Sequence, residues 1–402
     1  MLALIAAEVI SSLGSLMTLV ALPWFVLTTT GSPGRMGVVL AAEAAPLALL
    51  AIPSSRVARR LGARRTLLVC DAIWVPVVAA IPVLYYAEAL SFAALVGLAF
   101  LSGVPWAARY GSQSALLPEL LGEDTARLSQ ANAVFQTLSR LTYFLGPAAG
   151  GVLLAAVGAP TVLLVDAASF AVSFVIVAAL VKPTAPTAAS SEEAPHMGRG
   201  GLRFIRRDAV LRPITLAQIA SQAAFMAMIA AVPLLAFAAY DRNARLAGIL
   251  IAAWGAGAMV GSILAFRLVR SHAALPLGAL AWSLQAAPLW VMVIAPSPAL
   301  AVAALAVSGV GNGIRVPPIA GATTNRIPRP LRAETLTVSS AAVLSGGFAA
   351  LLVAGPALDA FGPEAVFAAI AAAQTLAAAL ALKVAFRRPA AVRLGPIEPM
   401  AP

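Results

Sequence analysis

Hydrophobic residues run along the chain in long blocks that are separated by short clusters of Gly, Pro and Arg. A block of roughly 20 to 30 residues can cross about 30 Å of hydrocarbon as a helix, at about 1.5 Å per residue. The pattern predicts an all-α membrane protein with twelve spans, at 2–28, 36–54, 66–86, 90–117, 126–157, 159–181, 210–239, 245–268, 273–294, 298–324, 333–358 and 363–385.

One long polar segment, at residues 182–212, divides these spans six to six. Its first part is rich in Pro, Thr, Ser and Glu, which favours disorder. Its second part alternates apolar and basic residues, which is typical of a segment lying on the membrane surface. We therefore predict an N-terminal six-helix bundle at 1–181, a C-terminal bundle at 213–388 and a disordered tail at 389–402.

Composition and charge agree with a membrane protein. The 402 residues are 61% hydrophobic and only 11% charged, which leaves too little polar surface for a soluble protein. Of 27 Lys and Arg residues, 21 fall on one side of the predicted topology, and three fall on the other: Arg35, Arg242 and Arg245. Basic residues are retained inside, so we predict a bacterial inner-membrane protein with both termini cytoplasmic. Topology and lipid contact explain the net charge of +11, so no nucleic-acid partner is predicted.

The two halves repeat one arginine pattern. The sequence Ser-Gly-Val at 102–104 is followed by Arg109, and Ser-Gly-Val at 308–310 is followed by Arg315 at the same spacing. The two arginines are 206 residues apart. A chain that repeats at half its length is typical of a transporter with pseudo-twofold symmetry and a binding site between its halves.

Spans 1 and 7 carry matching polar stripes at the same offset. Ser12 and Ser15 share one helical face of span 1, and Gln218 and Ser221 share one face of span 7, with Gln222 beside them. We interpret these stripes as walls of the predicted binding site.

Several segments resemble the major facilitator superfamily, and within it the drug and siderophore exporters that are similar to the enterobactin exporter and macrolide efflux proteins. The segments lie at 116–120, 128–133, 146–151, 166–170 and 325–328. The resemblance covers nearly the whole chain. It implies two pseudosymmetric six-helix bundles, with spans 1, 4, 7 and 10 around a central cavity and spans 5 and 8 packed across the interface.

The loop between spans 2 and 3 departs from the family pattern Gly-x-x-x-Asp-Arg-x-Gly-x-Arg. Ser55 and Arg59 stand at the Gly and Asp positions, while Arg60, Gly62 and Arg64 match it. The resemblance implies a gating role for these three residues. The aspartate that latches the cytoplasmic side in the family is replaced here by an arginine.

Arginines inside the membrane are expected to have partners. An arginine at mid-membrane costs at least about 2.5–3.5 kcal/mol, so it must be paired or face water. We interpret Arg109 and Arg315 as cavity groups that contact the cargo or its counter-charge, with structural ion pairing as the alternative. Arg140 is predicted to pair structurally with an acid such as Glu8. The other predicted substrate-binding residues are Gln113, Gln218, Gln222 and Asn312.

Two membrane carboxyl groups are candidates for proton coupling, Glu43 in span 2 and Glu8 in span 1. Desolvation favours the protonated, neutral form of the acid, whereas a nearby arginine favours the carboxylate. A conformational change that moves the group between these two environments can therefore make it bind and release a proton. The alternative is that both are static partners of an arginine. Asp71 and Asp166 lie near predicted span ends, and we interpret them as polar anchors.

Glycines spaced four residues apart predict close helix packing. Gly146 and Gly150, with Pro147 between them, and Gly257 and Gly261 are predicted to be the pivot between the halves. Span 10 contains three glycines and the two prolines Pro317 and Pro318. These residues predict a bend in the helix that presents Asn312 to the cavity.

Together these observations predict a secondary active transporter that exports a small amphipathic organic molecule by proton antiport with alternating access. Two alternatives remain, an importer of an anionic metabolite and a non-transporting membrane sensor or scaffold. No phosphate-binding loop occurs and Cys70 is the single cysteine, so we predict no enzyme activity, cofactor or metal site. We expect a monomer in the lipid bilayer whose partners are the cargo and the proton.

Overall fold

The computed structural model describes residues 2–121, 125–181, 199–294 and 297–386. Throughout these residues the regular elements are helical. In chain order they are α1 Leu2–Thr30, α2 Pro33–Leu61, α3 Ala63–Tyr86, α4 Phe92–Leu121, α5 Thr125–Val157, α6 Ala159–Leu180, α7 Arg199–Arg207, α8 Leu211–Ala238, α9 Ala244–Ser271, α10 Ala274–Ala286 with a 3-10 extension Ala287–Ile294, α11 Pro298–Arg326, a 3-10 turn Arg329–Leu331, and α12 Arg332–Ala385.

The predicted all-α fold with twelve spans is confirmed. Spans 11 and 12 form the single long element α12, which breaks at Gly362, where φ is 78°. A left-handed conformation of this kind favours glycine, and Pro363 then begins the last segment. By length and composition alone, eight helices of the described residues are apolar enough to cross a membrane.

The two halves meet through glycine pairs at one end of the bundle. A Cβ added to Gly37 would collide with the Gly355 Cα atom, and one added to Gly151 would lie 2.6 Å from the Gly248 Cα atom. Ser32 and Asp359 add a hydrogen bond of 3.3 Å at the same end. Charge bias predicts this end to be the outer one, so the structure is closed on the predicted outer side.

The glycines predicted to form the pivot pack elsewhere. Gly146 and Gly150 lie against Leu16 and Met17 of α1, inside the N-terminal half. Gly257 and Gly261 lie against the backbone of α11, inside the C-terminal half. Their predicted place at the interface is therefore wrong, although α5 and α9 do meet there. The Pro147 carbonyl is part of this contact, since it would lie 2.6 Å from a Cβ on Gly248.

Helix α11 is one continuous helix across Pro317 and Pro318, and no break marks the predicted bend. Its glycines serve packing instead. Gly309 and Gly313 face backbone atoms of α9, and Gly311 faces the Gln285 amide of α10. Because glycine has no side chain, α11 can approach α9 and α10 closely at these positions.

The turn between α2 and α3 is fastened to α6. Gly62 has φ 76° and begins the turn into α3. Arg64 donates hydrogen bonds to the carbonyls of Val181 and Ala178, at 2.7 and 2.9 Å. A cation is favoured there because the last carbonyls of a helix lack partners. Arg60 is exposed. Of the predicted gating residues, Gly62 thus forms the turn and Arg64 joins it to α6, at the predicted inner end of the N-terminal half.

Candidate substrate cavity

A cavity of about 250 Å³ lies between the halves, with most of its wall in the N-terminal half. Helices α1, α2, α3, α4 and α6 line one side. The C-terminal half closes the other side with Phe225, Met226 and Ile229 of α8 and Leu351 of α12. The wall is predominantly apolar, and Glu43 and Asp166 are the charged residues among its described lining.

The two carboxyl groups reach the cavity from different helices. Glu43 lies on α2 where α4 packs tightly, since a Cβ on Gly103 would touch the Glu43 carbonyl oxygen. Asp166 lies on α6 and accepts a hydrogen bond of 2.6 Å from the Thr18 hydroxyl of α1. Gly14 makes room for it, because a Cβ there would lie 2.6 Å from Asp166 Oδ1. One carboxyl group of the cavity thus has a polar partner on a facing helix.

Aromatic rings form much of the remaining wall. Trp74 stacks on Phe170 with ring centroids 4.6 Å apart, and Trp106 meets the edge of Trp74 at 5.7 Å. Phe225 faces them from the C-terminal half and packs against Trp254 at 4.9 Å. An apolar cavity with aromatic faces and a few polar groups is the usual form of a small-molecule site.

Arg109 does not line this cavity. It is 4% exposed and binds two carboxylates, Glu8 Oε1 at 2.8 Å and Asp71 Oδ1 at 3.0 Å. It also donates to the Ser11 hydroxyl and lies over the Trp74 ring. Arg109 is absent from the described lining of this cavity, and its contacts are those of the alternative, structural ion pairing. Glu8 belongs to the same cluster and not to the cavity wall.

Arg315 also lies outside the cavity wall. It is 8% exposed, donates from Nε to Gln285 Oε1 at 2.9 Å, and lies 4.4 Å above the Trp282 ring. Among the described side chains no carboxylate forms an ion pair with it. The two arginines therefore share a position over a tryptophan, but only Arg109 has acidic partners there.

The remaining predicted substrate residues are spread along the helices. Gln218, Gln222 and Asn312 are half-buried and do not line the described cavity. On α8, however, Gln218 lies two turns and Gln222 one turn before the lining residue Met226. They therefore share the helix face of Met226 and extend it toward the predicted inner end. The side chains of Gln113 and Arg140 lie outside the described residues.

Sequence reasoning missed Asp166, which was interpreted as an anchor near a span end. It lies seven residues after Ala159, the first residue of α6, which places it two turns inside the helix. Ser169 lies one turn further on and donates to Asp166. The sequence does contain a signal for this role, because Asp166 is an acidic residue well inside an apolar run.

Comparison with known proteins agrees with this architecture. The profile of the transmembrane secretion effector family matches residues 2–400. The multidrug efflux pump Tap of Mycobacterium tuberculosis (strain ATCC 25618 / H37Rv) is 29% identical over 381 residues, which cover 91% of this chain and 88% of that relative. The staphyloferrin A transporter of Staphylococcus aureus (strain NCTC 8325 / PS 47) is 28% identical over 165 residues, or 41% of each chain.

A crystal structure of a mutant of the nucleoside transporter NupG has the same fold, with a TM-score of 0.76 at 12% identity over 95% of this chain and 99% of that chain. The family match over almost the full length, together with twelve spans in two halves, decides the family. The chain belongs to the transmembrane secretion effector family of the major facilitator superfamily and is a multi-pass membrane transporter.

Proposed function

We propose that this protein exports cationic amphipathic organic molecules across the bacterial inner membrane in exchange for protons. The observation that carries the proposal is the cavity itself, in which Glu43 and Asp166 stand among aromatic and aliphatic walls with no described basic residue beside them.

The charge of the cavity supports a cationic cargo. A cation inside an apolar site needs a carboxylate or an aromatic face, and this cavity offers both. An anionic metabolite would need a basic group at the wall, and none of the described lining residues supplies one. The charge of the described lining therefore favours a cationic cargo over the anionic metabolite that was one of the alternatives.

The same carboxyl groups serve proton exchange. A protonated acid is the favoured form in an empty apolar cavity, while a bound cation favours the carboxylate, so proton and cargo compete for one site. With two carboxyl groups, exchange of two protons for one univalent cation carries one net charge inward. Such exchange draws on the membrane potential, at about 2.3 kcal/mol per 100 mV.

The names of the relatives support outward transport. Tap is named a multidrug efflux pump, and its alignment spans nearly the whole of this chain. Glycine contacts close the predicted outer end, which is the arrangement expected of an exporter that loads its cargo from the cytoplasm.

The test is transport in proteoliposomes that contain the purified full chain. A pH gradient should drive uptake of ethidium, a permanent aromatic cation, and an imposed potential should accelerate it. Glu43→Gln and Asp166→Asn should each reduce cation transport by about tenfold or more, because a charge-assisted contact is worth about 1.5–3 kcal/mol. Glu88→Gln is the matched control, since Glu88 is exposed in the loop between α3 and α4.

Transport of an anionic dye in place of ethidium would overturn the cargo class. Normal ethidium transport by the Glu43→Gln, Asp166→Asn double variant would overturn the role of both carboxyl groups. Ethidium transport that is insensitive to pH and to potential would overturn antiport.

A further inference from the structure

A second cavity, of about 410 Å³, lies at the predicted inner surface, where α7 leads into α8 beside the end of α12. Its described lining consists of four basic residues, one acidic residue and five apolar residues. The basic residues are Arg206, Arg207, Arg212 and Lys383. All four are exposed, and none is ion-paired among the described residues.

The acid in this basic groove is already neutralised. Both carboxylate oxygens of Asp208 share the Arg326 Nε–H, each at 2.9 Å, and Oδ1 also accepts hydrogen bonds of 2.8 Å from the amides of Val210 and Leu211. Partial burial would raise the pKa of Asp208, but these hydrogen bonds and the Arg326 charge hold it below its ordinary value. The four cations therefore have no free carboxylate within the groove to compensate them.

Helix α7 is fixed to the protein and is not a loose basic segment. The Gly201 amide donates to Glu334 Oε1 at 2.5 Å, near the start of α12. Ile205 is buried, while Arg206 and Arg207 remain exposed. The basic residues are thus held at the mouth of the groove by packing on the opposite face of α7.

Exposed apolar residues of α8 and α12 adjoin the basic ones. Leu216 of α8 is 48% exposed and lines the groove together with Leu380 of α12. Leu376, one turn further along α12, is 57% exposed. A basic head joined to an exposed apolar strip complements a molecule that has an anionic phosphate and an acyl chain.

We propose that this groove is a binding site for an anionic phospholipid, whose headgroup phosphate contacts Arg206, Arg207, Arg212 and Lys383 and whose acyl chain follows Leu216 and Leu380. The site is separate from the cargo cavity and does not depend on the proposed transport function. A bound lipid would link α7 to the ends of α8 and α12.

Native mass spectrometry of the purified full chain tests this site with two lipids that share acyl chains, dioleoylphosphatidylglycerol and dioleoylphosphatidylcholine. The wild-type chain should retain the anionic lipid preferentially. Each basic residue near the membrane surface adds to the attraction for an anionic headgroup, so Arg207→Gln with Arg212→Gln should weaken that binding by about tenfold or more. Lys383→Gln, on another helix, should weaken it less.

The matched control is Arg267→Gln with Arg329→Gln, which removes two exposed basic residues at the same end of the bundle but outside the groove. It should bind the anionic lipid like the wild type. Equal loss in this control would overturn a specific groove in favour of general surface charge. Displacement of the lipid by soluble glycerol phosphate would show a free-phosphate site, and equal retention of both lipids by the wild type would show no anionic site.

Discussion

Arg109 Nη2 lies 2.8 Å from Glu8 Oε1, and both side chains are 5% exposed. This ion pair joins α4 to α1 deep within the N-terminal half. Asp71 of α3 completes it with a second carboxylate at 3.0 Å and itself accepts a hydrogen bond of 2.7 Å from Ser173 of α6. Four helices therefore meet at one buried charged cluster.

Removal of Arg109 should severely destabilise the fold. Arg109→Met keeps much of the side-chain volume but leaves the Glu8 and Asp71 carboxylates buried without their cation. Breaking a buried pair in this way costs about 3–5 kcal/mol. Thermal unfolding in detergent, followed by the fraction of monodisperse protein, measures the loss.

The triple variant Glu8→Gln, Asp71→Asn, Arg109→Met removes all three charges together and should recover most of that stability. If Arg109→Met is as stable as the wild type, the cluster is not a structural centre. Selective loss of an acidic cargo in a well-folded Arg109 variant would restore the cargo-contact interpretation.

The equivalent change at Arg315 should behave differently. Arg315 is buried over Trp282 and donates to Gln285, with no described carboxylate to be left behind. Arg315→Met removes a buried cation that has no described counter-charge and leaves Gln285 Oε1 without this donor, which costs about 1–3 kcal/mol, so the loss of stability should be smaller than the about 3–5 kcal/mol of Arg109→Met. If Arg315→Met destabilises the protein as much as Arg109→Met in the same unfolding assay, Arg315 has an acidic partner that contributes as much to stability as those of Arg109.

The sequence predicts the helices well because long apolar runs end at residues that cannot continue a helix. Gly158 and Gly362, with φ of 80° and 78°, end α5 and divide α12, and the predicted boundaries fall beside both. The repeat of Arg109 and Arg315 was also a real structural relationship, since each lies over a tryptophan.

Partners across the fold could not be predicted in the same way. Helical periodicity gives the face on which Arg109 lies, but not which acid on another helix meets it. Asp166 reaches the cavity because Gly14 on α1 leaves space for it, a relationship between residues far apart in the chain. Likewise, the glycines spaced four residues apart in α5 and α9 indicate that another helix packs closely there, but they do not indicate which helix it is.

Asp208 should make the attachment of the α7–α8 turn sensitive to acid. Because its folded pKa is lowered, its contribution is present above the ordinary pKa of 3.8 and is lost as the pH falls through the folded value. Arg326 is 45% exposed, so solvent screening limits this contribution to about 0.5 kcal/mol. The stability difference between wild type and Asp208→Asn should be constant from neutral pH down to about pH 5 and vanish in stronger acid. A difference that persists in strong acid would mean that the carboxylate charge is not its source.

The charge bias predicts the side of each loop. Ala89 and His272 are both exposed at opposite ends of the bundle, whereas the native Cys70 is buried and should give little background. An impermeant thiol reagent applied to intact cells should label Ala89→Cys but not His272→Cys, and broken cells should label both. The reverse pattern in intact cells would invert the topology and the direction assigned to the closed end.

The glycine contacts at the closed end should control the transport cycle. A Cβ on Gly248 would lie 2.5 Å from the Gly151 Cα atom and 2.6 Å from the Pro147 carbonyl oxygen, both of which are backbone atoms. Because backbone cannot move aside as a side chain can, Gly248→Val should separate α5 from α9 and favour a state open at this end. Gly97→Val is the matched control, since a Cβ at Gly97 meets nothing within 4 Å.

Disulfide cross-linking measures that opening directly. Ser32 and Asp359 lie across the interface at the same end, 3.3 Å apart between their side-chain oxygens, so the pair Ser32→Cys, Asp359→Cys should cross-link readily in an otherwise wild-type chain. Adding Gly248→Val should slow cross-linking and reduce export, while adding Gly97→Val should change neither. Unchanged cross-linking together with normal export in the Gly248→Val chain would mean that α5 and α9 accommodate the side chain, and that this contact does not limit alternation between the two states.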